Sequence, residues 1–136
     1  MHINPHVNFN GNCAEAFQFY ATCLRGKVEM SMTYGESPMA AQMPPETHQM
    51  VIHSSLLFGD QRITGADAPG QHYKAPQGFH IALDVKEEEE ADRIFGELSQ
   101  GGRVEMPIQK TFWAKRFGML VDRYGIPWMI NCGNPM

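Results

Sequence analysis

Apolar positions along this chain switch between a period of two and a period near three and a half, and the order of switching occurs twice. Residues 3–9 alternate, with Ile3, Val7 and Phe9 on one side and His6 and Asn8 on the other, the pattern of a half-buried strand. Asn10-Gly11-Asn12 follows as a turn, with Asn12 placed to cap a helix. Over residues 13–24, Ala16, Phe17, Tyr20 and Leu24 fall at helical spacing. Arg25-Gly26 ends that helix, the glycine supplying the positive φ of a C-terminal cap. Alternation returns over residues 27–34 through Val28, Met30 and Met32. Pro38, Pro44 and Pro45 then break it, so residues 35–47 read as a loop with a helical turn at 39–43. Residues 50–58 and 61–65 read as strands around a Gly59-Asp60 hairpin turn. A second loop, rich in proline and glycine, covers residues 66–77.

The rhythm then begins again. Residues 79–85 alternate, with Phe79, Ile81 and Leu83 on one face and His80, Ala82 and Asp84 on the other. A helix follows over 86–100, its first turn carrying Glu87 to Glu90, which suits the positive end of a helix dipole. Gly101-Gly102 ends it. Strands are expected at 103–108, 115–122 and 126–132, the last two joined at Tyr124-Gly125. The strings themselves repeat: HVNF, helix, KVEM in the first half, and HIAL, helix, RVEM in the second. Each half therefore reads strand, helix, strand, strand, strand. The expected fold is α+β: two βαβββ modules, about residues 1–67 and 78–136, within a single domain of residues 1–136. Placed side by side, two such modules form a curved mixed sheet around a cleft, with helices on the convex side. Strand parity then turns His6 and His80 toward the cleft.

Composition narrows the options. With 136 residues, 43% hydrophobic and 19% charged, the chain is long enough for one domain with a real core. A net charge of −4 gives no basic surface, so no nucleic acid partner is expected. No apolar run approaches the roughly 18 residues of a membrane span, and the first residues have no signal-peptide pattern, so no membrane partner is expected either. Cys13, Cys23 and Cys132 are odd in number and lack zinc-knuckle spacing, which fits a reducing, cytoplasmic location. Cys13 opens a helix, where a buried neighbour of the cap is the reading preferred over a nucleophile.

Candidate chemistry concentrates in residues 109–131. Both tryptophans are here, and Gln109, Thr111, Lys115 and Arg116 stand beside Phe112, Trp113 and Trp128. Apolar walls with a few polar groups describe a small-molecule site; the same residues also suit a core hairpin. Gln109, Thr111 and Trp113 lie on the long connection between the sixth and seventh strands and are the expected ligand contacts. His53 sits inside a strand, with a structural hydrogen bond expected. His2, His48 and His72 are expected to be titrating surface groups. Met39 and Met43 read either as an adaptable apolar edge to a pocket or as plain packing within the loop.

The segments FNGNCAEAFQFY, HSSLLFGD and KTFWAKRFGMLVDRYGIPWMIN, in this paired βαβββ order, resemble the PhnB-like branch of the vicinal oxygen chelate superfamily. That superfamily includes glyoxalase I, extradiol dioxygenases, and bleomycin- and fosfomycin-resistance proteins. The resemblance spans nearly the whole chain and is most specific in TFW, FG and D-R-Y-G-x-P-W. It implies a glyoxalase-like fold and a homodimer. It also implies that metal-using members draw a His from each module's first strand and a Glu from its last. The first-strand positions match His6 and His80, within a residue. The last-strand positions fall on Met129 and near Ile63, neither a carboxylate. A divalent metal on His6 and His80 would therefore need His53, Asp67 or Glu105 as well; no cofactor is otherwise implied. Three functions follow. The first is a small molecule bound in the cleft, lined by His6, His80, Gln109, Thr111, Trp113, Trp128 and Met129, without a full metal site. The second is a metal-dependent lyase, isomerase or dioxygenase using His6 and His80. The third is a structural or partner-binding protein with a vestigial cleft. Members of the branch often carry a demethylubiquinone methyltransferase label, but no glycine-rich loop after a strand is present here to hold S-adenosylmethionine.

Overall fold

The computed structural model describes residues 1–68 and 70–133; Pro69, within the second expected loop, and the last three positions of the expected domain lie outside it. The chain divides into two compact units, Met1–Lys74 and Ala75–Met136. The first holds β1 (His6–Phe9), α1 (Cys13–Leu24), β2 (Lys27–Thr33), β3 (Val51–Phe58) and β4 (Gln61–Asp67). Its sheet runs β1-β4-β3-β2, with β1 parallel to β4 and the other pairs antiparallel. The second holds β5 (Ile81–Val85), α2 (Glu88–Leu98), β6 (Arg103–Gln109), β7 (Arg116–Val121) and β8 (Pro127–Cys132), with the order β5-β8-β7-β6 and the same pairing senses. The α+β class and the glyoxalase-like βαβββ modules are those the pattern predicts.

One helix covers one face of each sheet. α1 buries Cys13, Ala16, Phe17, Tyr20 and Cys23, and Phe17 meets Phe9 edge-on at 5.9 Å. α2 buries Ala91, Ile94, Phe95 and Leu98. Both helices approach their sheets at a strand glycine. A Cβ on Gly65 would lie 2.7 Å from the Phe17 ring, and one on Gly118 2.6 Å from the Phe95 ring. Each buried phenylalanine contributes on the order of 1.5–3 kcal/mol, and the missing Cβ lets it sit directly on the sheet.

Two strands start later than the alternation predicts. β1 begins at His6, and Ile3 is exposed; Pro5 offers a carbonyl to Thr64 but has no N–H to continue the ladder. β5 begins at Ile81, opposite Trp128, and Pro127 beside it is the first residue of β8. Phe79 is therefore outside the ladder and exposed, not in line with Ile81 and Leu83.

The caps also differ from expectation. Asn12 makes no side-chain cap bond. The buried Asp67 carboxylate does that work from the end of β4. Its Oδ1 accepts the Gly11 and Cys13 amides, both at 3.0 Å, and its Oδ2 accepts the Val51 amide at 2.8 Å. At the other end of α1 the left-handed residue is Arg25, with φ 55°. Gly26 is needed for a different reason: a Cβ there would lie 2.3 Å from the Leu57 carbonyl oxygen. The first loop contains two short 3-10 turns, Ala40–Gln42 and Pro45–Thr47. His48 is half-buried, not a surface group, and its Nε2 lies 2.9 Å from Ala40 O and 3.1 Å from Met43 O, fastening the loop. Among the described residues no helix is long and apolar enough to cross a membrane.

Candidate functional site

Strand register decides which side chains share a row on the sheet face away from each helix. In the first unit, Lys27, Leu57 and Arg62 form one row, and Met30, Ser55, Thr64 and His6 the next but one. In the second unit the matching rows are Arg103, Val121 and Pro127, then Met106, Met119, Met129 and Ala82. Both units also carry a bulge at the same place, between Val28 and Met30 and between Val104 and Met106. The residue inside each bulge is a glutamate, Glu29 or Glu105, the third letter of the KVEM and RVEM strings. A bulge re-aims its side chain and twists its strand, which is why such positions recur at sites.

The two glutamates have different company. Glu29 Oε2 accepts the Ser55 hydroxyl at 2.7 Å and Arg62 Nε at 2.8 Å. The Ser55 bond first, then Arg62, hold its carboxyl below the ordinary range. In the second unit these partners are replaced by Met119 and Pro127. Glu105 Oε1 instead stands 3.2 Å from His80 Nε2, and its Oε2 3.7 Å from Arg103 Nη2. A carboxylate only accepts, so this contact places a proton on His80 Nε2. In neutral His80, Nδ1 is then left as the acceptor. The pair can hold a ligand N–H or O–H, or take a proton, with Glu105 supporting the charge that forms.

These residues line a recess of about 320 Å³ in the second unit. Gln77, His80, Glu105 and Arg103 are its polar lining residues, and Pro76, Phe79, Val121 and Pro127 its apolar ones. Glu105 was expected only as a substitute metal ligand and Phe79 only as a strand residue; neither was expected to line a ligand recess. The signal that could have found Glu105 was present, because RVEM was half of the repeat.

Register also corrects the pairing of the two histidines. His6 is level with Thr64, and its Nδ1 lies 2.7 Å from Thr64 Oγ1. The residue matching Thr64 in the second unit is Met129, which pairs with Ala82. The counterpart of His6 is thus Ala82, and His80 lies two residues earlier, before β5 begins. The position opposite His6 is Thr64 and not Ile63, which is buried. Where the superfamily's metal-using members place His and Glu, this chain offers His6 with Thr64 and Ala82 with Met129: one imidazole and no carboxylate. Asp67 is engaged by three amides. Among the described residues no three His, Cys, Asp or Glu side chains converge. This donor set does not fit a resident divalent ion, which needs anionic oxygen or several imidazoles to offset its dehydration.

The remaining expected contacts separate. Trp128 is fully buried and donates its indole N–H to Asp122 Oδ2 at 2.8 Å, so it belongs to the core and not to a ligand site. Met129 is half-buried on the face away from α2. Gln109, Thr111 and Trp113 lie at the far end of β6 from Arg103, about 20 Å away at 3.4 Å per residue. There the Thr111 hydroxyl oxygen accepts the Ala114 amide at 3.1 Å, shaping the turn. Trp113 is 43% exposed and stacks edge-on with Phe112 at 4.7 Å and Phe117 at 5.1 Å. Arg116 is bound to α2, through Glu88 at 2.8 Å and Asp92 at 3.2 Å. All three cysteines are buried; burial, then Asp67, pushes the Cys13 thiol up to about 12, and burial raises that of Cys132. None is a poised nucleophile.

The family described as 3-demethylubiquinone-9 3-methyltransferase matches residues 1–131. Protein YjdN of Escherichia coli (strain K12) is 32% identical over 139 residues, covering 96% of this chain and 95% of that protein. Among solved structures, PA1353 from Pseudomonas aeruginosa is 38% identical, covers 97% of both chains and superposes with a TM-score of 0.87. The PhnB protein of Bacillus cereus, described as a putative 3-demethylubiquinone-9 3-methyltransferase, is 24% identical, covering 98% of this chain and 100% of that one, with a TM-score of 0.82.

Proposed function

The chain belongs to the PhnB-like branch of the vicinal oxygen chelate superfamily, and from that premise we propose that it binds a small molecule in the recess of its second unit, without a resident metal. The observation that carries this reading is the recess itself. At about 320 Å³ it is at the lower end of small-molecule site volumes, and its lining combines polar residues, His80, Glu105 and Arg103 among them, with apolar ones. His80, Glu105 and Arg103 orient the ligand; Phe79, Val121 and Pro127 enclose its body. The exposed rings of Trp113 and Phe112, with Gln109, form a separate contact region at the other end of β6. His6, on the face away from α1, is engaged with Thr64.

Methyl transfer, which the family description names, finds little support in the residues. Two amides at the start of α1, the place where nucleotide-binding folds offer N–H groups to a ligand, those of Gly11 and Cys13, are taken by Asp67. A metal-dependent lyase, isomerase or dioxygenase lacks carboxylates at the two last-strand positions. The homodimer and the cytoplasmic location that the sequence suggests are part of the same proposal. Light scattering at twice the 15.3 kDa chain mass checks the dimer.

A fragment screen read by NMR tests the site. Binding fragments are expected to move the His80 imidazole resonances and to lose about tenfold in affinity, near 1.4 kcal/mol, in Glu105→Gln. If every hit left His80 unmoved and bound that variant equally well, the recess would not be the site.

A further inference from the structure

The two bulge glutamates occupy the same place in their units, and one of them already has an internal ligand. In the first unit, Lys27 stands in the same row as Arg62, and Arg62 reaches across to Glu29, with Nε 2.8 Å from Oε2. In the second unit the Lys27 position is Arg103, so one basic neighbour is retained. The Arg62 position is Pro127, whose ring can neither reach Glu105 nor donate a hydrogen bond. The volume that an arginine side chain would take is part of the recess, for Arg103, Glu105, Val121 and Pro127 all line it. Arg103 does not fill the role: it is largely exposed, and its Nη2 is 3.7 Å from Glu105 Oε2, beyond hydrogen-bond length. The lining also includes Phe79, 46% exposed, an aromatic ring of the kind that attracts a cation.

We propose that the recess takes a ligand carrying a cationic, planar N–H donor, a guanidinium or amidinium group, and seats it on Glu105 as Arg62 is seated on Glu29. This deepens the small-molecule reading and rests on it. A planar guanidinium can set an N–H edge on Glu105 Oε2 as Arg62 sets Nε on Glu29 Oε2, and it is more weakly hydrated than an ammonium, so it gives up less water on entering the recess. His80 holds Oε1 and leaves Oε2 as the acceptor facing the ligand. The apolar remainder of the ligand lies along Phe79, Val121 and Pro127.

Propylguanidinium, which reproduces the arginine side chain, is the probe; propylurea is its neutral isostere and butyrate its anionic counterpart. Each is titrated by calorimetry and by NMR into the full chain, with circular dichroism confirming that every variant is folded. Propylguanidinium is expected to bind once per chain and to move His80, with at least a tenfold loss in Glu105→Gln and none in Glu29→Gln. Propylurea and butyrate are expected to bind at least tenfold more weakly. Arg62→Ala vacates the twin position and is expected to gain a second propylguanidinium site, which Glu29→Gln in the same chain removes. Preferential binding of butyrate at His80 would overturn the cationic ligand while leaving the recess a binding site. Absence of binding by all three probes would overturn both readings. Arg62→Ala without a second site would overturn the idea that Arg62 is a stand-in for the ligand.

Discussion

The Asp67 carboxylate should be among the most costly side chains to change in this chain, although it touches no ligand. It is only 2% exposed, and it joins three stretches distant in sequence: the turn before α1, the start of β3 and the end of β4. Three amides converge on two oxygens, at 3.0, 3.0 and 2.8 Å. Hydrogen bonds to a charged acceptor contribute about 1.5–3 kcal/mol each, and a buried donor left without one costs about 1–3 kcal/mol. Asp67→Asn is nearly isosteric. Its amide oxygen can stay on the Gly11 and Cys13 amides, but its NH₂ then faces the Val51 N–H, donor against donor. The expected loss is about 2–4 kcal/mol. Asp67→Ala removes both acceptor oxygens and with them all three bonds, but the Gly11 amide is near enough to the surface to recruit water, so the loss should stay near 4–5 kcal/mol. Against a total stability of about 5–15 kcal/mol, the alanine variant should be close to unfolding. Urea titration followed by far-UV circular dichroism, with the m-value checked for constancy, measures both. An Asp67→Asn variant within about 0.5 kcal/mol of the parent would refute the reasoning, since it would mean that the Val51 amide does not depend on the carboxylate.

Two other outcomes are expected. Cys13 has its thiol raised from the ordinary 9.0 to about 12, so its contribution to stability is complete below pH 9 and falls as pH rises toward 12, by up to about 1.4 kcal/mol per unit; a Cys13→Ala variant should lose less stability between pH 8 and 10 than the parent in urea titrations, and equal losses would contradict the buried thiol. Gly65→Ala places a methyl 2.7 Å from the Phe17 ring and should cost about 1–3 kcal/mol, partly recovered by Phe17→Leu; a neutral Gly65→Ala would show that α1 does not rest on β4 as described.

The elements of this fold could be read from the chain because each unit uses one apolar face per strand and one per helix, and both periods survive in the letters. Phe17 and Tyr20 on α1 fell where the spacing predicts, and α2, expected over 86–100, buries Ile94, Phe95 and Leu98. Properties that depend on approach between distant backbones could not be read. Gly26 resembles a helix-ending glycine, but the φ it would have supplied belongs to Arg25, and it is glycine because of the Leu57 carbonyl. Asn12 has the right side chain for a cap and lost the role to a carboxylate 55 residues away. Trp128 looked like a ligand contact because tryptophan is common in sites, yet its neighbours Leu120 and Ile81 place it under the helix. Parity within β8 therefore carries more information than residue type: Met129, one residue on, faces the other way.

The histidines show where matching strings fails as a guide to a site. HVNF and HIAL align letter for letter, but pairing within a sheet is set by the neighbouring strand and not by the string. β4 meets β1 with Thr64 at His6, while β8 meets β5 with Met129 at Ala82, and the bulges at Glu29 and Glu105 put Thr64 and Met129 in the same row. The second copy of the first strand has therefore slipped by two residues, which keeps every side chain on its face and changes only its level. A one-residue slip would have driven His80 into the core; a two-residue slip keeps the apolar pattern and carries His80 out of the row that His6 occupies, to the edge of β5. There it meets Glu105. The same slip that removes an imidazole from the position used by metal-dependent relatives thus creates a histidine–carboxylate pair at the mouth of a recess, and the repeat remains readable in the letters after its two halves have come to hold different chemistry.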